Sequence, residues 1–366
     1  MLYGALITGF TALYVVRGGM VSVVYTEVLQ FLVMTAACIA IGVIAMMQVS
    51  PDMLAAVVPE GWTSLSFGWQ LDLDWQTLLP EANERIAGDG YSLFSLFIML
   101  GLFKGILQSL AGPAPNFDMQ RILAARTPSE AAKMSGFVSI VLLFPRYMMV
   151  TGLTVLALVY LTPALKQMNS AADFEQILPL TLANFIPSGR LGLIIAGLLA
   201  TFMSTFAATS NAAPAYVVND IYKRYINPDI PERKALKLSY LVSVLFVVCG
   251  SLLGLFVPSL NSMVMWLVSA LYGGYTAANV LKWYWWRFNG IAFFCGMTAG
   301  IILSVFLMLT DIQPFYAFPF LFGFCLLVCV GVSLLTQPDD MEVLKVFYQK
   351  TRPWGWWLPD VRALQE

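Results

Sequence analysis

Long apolar runs separated by short polar segments dominate the chain. A membrane-spanning helix takes roughly 20 mostly apolar residues. The pattern predicts nine such runs, at about 1–16, 22–47, 92–112, 137–161, 191–218, 237–257, 262–282, 290–310 and 316–336. The first is short and fits only part of a helix. Residues 337–366 are polar enough to leave the membrane as a tail. An all-α integral membrane protein follows, a helical bundle with about nine transmembrane helices across residues 1–336. Within LGLIIAGLLATFMSTFAATSNAAPAYVV (191–218) the pattern is interrupted, because Thr201, Ser204, Thr205, Thr209, Ser210 and Asn211 crowd one segment.

Composition supports this reading. The chain is 59% hydrophobic and 11% charged, whereas charged residues make up about a quarter of a soluble domain. No basic stripe of the kind that binds nucleic acid is present. Five cysteines all lie in apolar runs and read as small buried hydrophobes. Histidine, the commonest metal ligand, is absent from the sequence. No basic region precedes the first apolar run, so it does not read as a cleavable signal peptide.

Lys and Arg predict the direction of the spans. With Arg17 placed in the cytoplasm and the spans alternating, fifteen basic residues fall inside and three (Arg85, Lys166 and Arg190) outside. Lys104 and Arg146 stay within spans. This satisfies the positive-inside rule. It predicts a multi-pass protein of the inner (plasma) membrane, with the N-terminus outside, the C-terminus cytoplasmic and an acidic outer loop over 48–90. An N-terminus that starts outside without a targeting signal also predicts that earlier helices of the same polypeptide are missing.

Thr201, Ser204 and Thr205 fall at i, i+3 and i+4 and share a helix face. Two hydroxyls and a nearby carbonyl form an all-oxygen half-site suited to a hard cation such as Na⁺. The commoner alternative is that these hydroxyls bond their own i−4 carbonyls or join helices. Glu27 lies about one turn into its span, where a carboxylate either faces a polar interior or sits at the interface. In GILQSLAGPAPNFDMQR (105–121), Gly112, Pro113 and Pro115 interrupt a helix. Either the helix is broken over a cavity, with substrate at the break, or the span ends at Gly112. Arg146, in LLFPRYMMV, requires an acceptor: Glu27, helix carbonyls or a ligand anion.

Several of these stretches together resemble the sodium:solute symporter family. LYVVRGGMVSVVYTEVLQ (13–30) is similar to the family's GG-x₅-WTD-x₂-Q segment, with Tyr25 for Trp and Glu27 for Asp. GPAPNFDMQRILAARTPSEA (112–131) resembles its broken helix and following loop, and STFAATSNAAPAYVVNDIYKRY (204–225) its sodium helix. The tail FYQKTRPWGWW (347–357) and WYWWRFNG (283–290) resemble one bacterial branch. The resemblance implies a LeuT-like bundle of two inverted repeats, of the APC type. Residues 1–47 would end an incomplete first repeat, 92–282 would be the second, 290–336 peripheral helices and 337–366 the cytoplasmic tail. It implies that Ser204 and Thr205 supply sodium-binding hydroxyls, Thr201 a carbonyl ligand and Glu27 a carboxylate near the cation path. It moves the break at Gly112–Pro115 to mid-membrane. The family's first core helix, which gives carbonyls to sodium, is absent from these residues. Ala207 and Ala208 stand where relatives with a second site carry hydroxyls, so one sodium per cycle is expected.

The resulting expectation is sodium-coupled symport of a small organic solute by alternating access, with Na⁺ as the coupling ion. Solute contacts are expected from Gln108, Gly112, Asn116, Phe117, Arg146 and Tyr275. One alternative is a proton-coupled carrier using Glu27; another is a non-transporting sensor or remnant. No nucleophile–base pair, metal cluster or phosphate loop points to an enzyme.

Overall fold

The computed structural model describes residues 2–64, 66, 68–70, 73–76, 82–88, 91–111, 119–163, 176–255, 260–307, 310, 312 and 314–362. Among them, helices account for nearly all regular structure. Six helices are long and apolar enough to cross a membrane: Val21–Gln48, Pro128–Leu161, Ser188–Ile226, Glu232–Gly254, Gly290–Leu307 and Tyr316–Leu335. The contacts divide the chain into two units.

The first unit, Met1–Thr63 with Leu73–Asn83 and Pro115–Phe256, is built on α1 (Leu2–Gln48). Two spans were expected here, at 1–16 and 22–47. Instead one helix runs unbroken through Arg17, Gly18 and Gly19. The segment contains no proline, and glycine in a helix interior costs only about 1 kcal/mol relative to alanine. After the short helix α2 (Pro51–Ala55) come α3 (Ala82–Gly88), all but its first two residues in the second unit, and α4 (Phe94–Leu110), which belongs to the second unit. The first unit resumes with α5 (Met119–Ala124) and α6 (Pro128–Leu156). Thr127 starts α6 by accepting the Glu130 N–H, with Pro128 at the first helical position. The unit continues through α7 (Ile177–Phe185), α8 (Ser188–Pro214) and α9 (Glu232–Gly254). Both α6 and α8 run on in wider π turns, over Ala157–Leu161 and Ala215–Ile226.

Small residues bring these helices together, as expected where apolar lipid gives no hydrophobic drive for association. A Cβ on Gly197 of α8 would lie 2.5 Å from the Ala37 Cβ of α1. A Cβ on Gly152 of α6 would lie 3.2 Å from the Gly42 Cα. Around these contacts Ala37, Ile41 and Ile44 pack with Leu182, Ile186 and Ile194. The opposite face of α1 leaves Tyr25, Val28, Leu32 and Met46 exposed, an apolar surface suited to acyl chains.

The second unit comprises Ser64–Asp72, Glu84–Ala114 and Val257–Glu366. Its core is α10 (Leu260–Tyr284), α11 (Gly290–Leu307) and α12 (Pro314–Leu335), which pack mutually. A Cβ on Gly300 would sit 2.5 Å from the Gly274 Cα. The tail is docked by side chains and backbone together. Leu344 on α13 (Met341–Thr351), Trp357 and Val361 on α14 (Pro359–Arg362) form a core with Trp286. The Trp356 N–H donates to the Tyr284 carbonyl at 2.7 Å, and the Trp286 N–H to the Trp356 carbonyl at 3.1 Å. The indole of Trp283 donates to the Ala111 carbonyl at 2.9 Å, just past the end of α4.

Candidate functional site

The hydroxyl-rich face of α8 is set by sequence spacing and exposed by packing. Gly197, Ala200, Ala207 and Ala208 are buried on α8. Thr201, Ser204 and Thr205, with Ala200 among them, line a cavity of about 750 Å³ within the first unit. The same cavity is lined by Glu27 and Gln30 of α1, Arg121 of α5, and Ser135 and Arg146 of α6. Five residues predicted from sequence to bind the cation or solute are thus gathered at one place: Glu27, Arg146, Thr201, Ser204 and Thr205.

The hydroxyls do not all behave alike. Thr201 Oγ1 donates to the Gly197 carbonyl at 2.9 Å, and Thr205 Oγ1 to the Thr201 carbonyl at 3.1 Å. This is the local back-bonding that competes with a ligand role. A hydroxyl that spends its one proton this way keeps its lone pairs for a cation. Ser204 Oγ makes no hydrogen bond among the described residues. Thr201, Ser204 and Thr205 therefore keep oxygen lone pairs available on this face. Cysteine and methionine also line the cavity, but soft sulfur is a poor ligand for a hard cation.

Glu27 is paired with Arg121, not Arg146. Arg121 Nε donates to Glu27 Oε2 at 3.2 Å, and an Nη donates to Oε1. Two parallel bonds from a guanidinium to a carboxylate fix geometry as well as charge. Arg121 is one of the basic residues that the Lys and Arg bias places inside, and the stretch GPAPNFDMQRILAARTPSEA (112–131) is the signal that contains it. Gln30 stands three residues beyond Glu27 on α1. Its Oε1 is buried without a hydrogen-bond partner, and the residue lines the cavity.

The remaining predicted solute contacts lie elsewhere. Gln108 is on α4 and Tyr275 on α10, both in the second unit. The Tyr275 carbonyl accepts from Asn279 Nδ2 at 2.8 Å. Gly112, Asn116 and Phe117 fall outside the described residues.

Comparison with known proteins bears on this arrangement. The model of the sodium:solute symporter family matches residues 2–300. The chain is similar to the sodium/glucose cotransporter of Vibrio parahaemolyticus, 23% identical over 246 residues, which covers 63% of this chain and 45% of that one. It is similar to the sodium/myo-inositol cotransporter 2 of Rattus norvegicus, 23% identical over 83% of this chain and 47% of that one. A solved Na⁺-coupled sialic acid symporter, in a substrate-bound outward-open state, matches its fold with a TM-score of 0.68 at 19% identity, over 92% of this chain and 67% of that one. The chain spans about half the length of the curated relatives it matches. The fold is that of a LeuT-like helical membrane bundle. The family is one of sodium-coupled membrane transporters and not of enzymes. With its model matched over most of these residues, the chain belongs to the sodium:solute symporter family.

Proposed function

We propose that the protein couples the downhill movement of Na⁺ to uptake of a small organic solute, by alternating access. The observation that carries this reading is the shared cavity, in which Thr201, Ser204 and Thr205 face the same space as Glu27 and Arg146. Sodium binds the Thr201 carbonyl and the Ser204 and Thr205 hydroxyls. Three oxygens fall short of the six or so that hard divalent cations take, so further ligands complete the shell. Occupancy favours the solute-ready state because sodium has different affinity for the two states. Glu27 stands on the cation path, held by Arg121. The competing proton-coupled reading rests on this same carboxylate, which is here engaged in an ion pair.

The test is sodium-dependent stabilisation and transport in the full-length protein. Ser204→Ala and Thr205→Ala each remove a ligand oxygen and are expected to weaken apparent sodium affinity by about tenfold or more, the effect of losing roughly 1.4 kcal/mol. Thr201→Ala keeps its carbonyl and is expected to change sodium affinity far less. Unchanged sodium dependence in both hydroxyl variants would refute the site, and an equal loss in Thr201→Ala would refute the carbonyl role.

A further inference from the structure

We infer that the cavity of the first unit receives an organic carboxylate, so that the solute is an anion. The inference rests on the transport reading above and names the class of solute. Of the described side chains lining the cavity, Glu27 is the one acid, against two cations, Arg121 and Arg146. Glu27 is already held by both sides of the Arg121 fork. Arg146 has no hydrogen-bond or ion-pair partner among the described residues. It lies 18 residues from the start and 15 from the end of the span Pro128–Leu161, so its Cα is about 20 Å or more along the helix from either end. A guanidinium at that depth is costly unless an anion meets it. Among the described residues the cavity therefore offers one uncompensated positive charge and a planar donor fork, the geometry that matches a carboxylate.

A neutral polyol leaves Arg146 bare. A simple anion such as chloride meets its charge without matching the planar donor fork.

The test uses the purified full-length protein in sodium, read by thermal unfolding. The probes are lactate and gluconate against their neutral counterparts lactamide and glucose, at matched sodium, chloride and ionic strength. At least one carboxylate is expected to raise Tm and its neutral counterpart to leave it unchanged. Arg146→Gln is expected to weaken that response by about tenfold or more, the effect of losing hydrogen bonds from a charged group. Arg146→Lys should retain part of it. A preserved sodium response in Arg146→Gln shows that this variant is folded. Equal shifts from acid and neutral probe, a shift from chloride alone, no response to either carboxylate, or a full response in Arg146→Gln would overturn the proposal. Loss of the sodium response in the unsubstituted protein would instead count against the transport reading.

Discussion

At the scale of single residues, the site was legible where chemistry and spacing coincide. Thr201, Ser204 and Thr205 stand out because hydroxyls are expensive company in an apolar run and because i, i+3, i+4 places them on one face. Their local hydrogen bonds to i−4 carbonyls could also be anticipated. The partner of Glu27 could not, since 94 residues separate it from Arg121 and no local pattern specifies a contact that long. The pair has a measurable consequence. A double-mutant cycle with Glu27→Gln and Arg121→Gln is expected to give a coupling energy of about 0.5–3 kcal/mol in thermal or denaturant unfolding. Arg121→Gln strands the Glu27 carboxylate in the cavity wall, so it should destabilise more when made alone than on the Glu27→Gln background. Strict additivity would mean that the two side chains do not interact.

At the scale of helices, the apolar runs located most elements to within a few residues. The run at 237–257 is Glu232–Gly254, and that at 290–310 is Gly290–Leu307. The failure at the first two runs has a physical cause. A charged residue and two glycines are a weak punctuation mark, and without proline the hydrogen-bond ladder can pass straight through them. Which faces meet was not legible, because close packing between membrane helices depends on small residues that look alike in sequence. Gly4 and Gly192 have open space where a side chain would go, while Gly197 has Ala37 against it. Gly197→Ala is therefore expected to destabilise the first unit by about 1–3 kcal/mol, even though alanine is the better helix former. Replacing Ala37 with Gly in the same chain should recover much of that loss. A neutral Gly197→Ala, or a double variant no better than the single, would show that α1 and α8 do not approach here.

At the scale of the whole molecule, what matters is how charge is distributed between the two membrane faces. The continuous α1 removes the basis for placing Arg17, but the argument survives its loss: fourteen basic residues still fall on the side of the tail against three on the side of the 48–90 loop. Short loops follow the Lys and Arg bias, and acidic residues contribute little to it. The docked tail adds weight on the same side. Lys345 and Lys350 belong to α13, whose Leu344 is fixed against Trp357 and Trp286, so these charges are carried on a packed segment. The expected topology thus has the tail in the cytoplasm and the loop outside. A fluorescent protein fused after Glu366 should be bright, since it matures in the cytoplasm. Ser64→Cys, at an exposed loop position, should take up a membrane-impermeant maleimide in intact cells above the level of the unsubstituted parent. A dark fusion combined with an unlabelled Ser64→Cys would invert the topology.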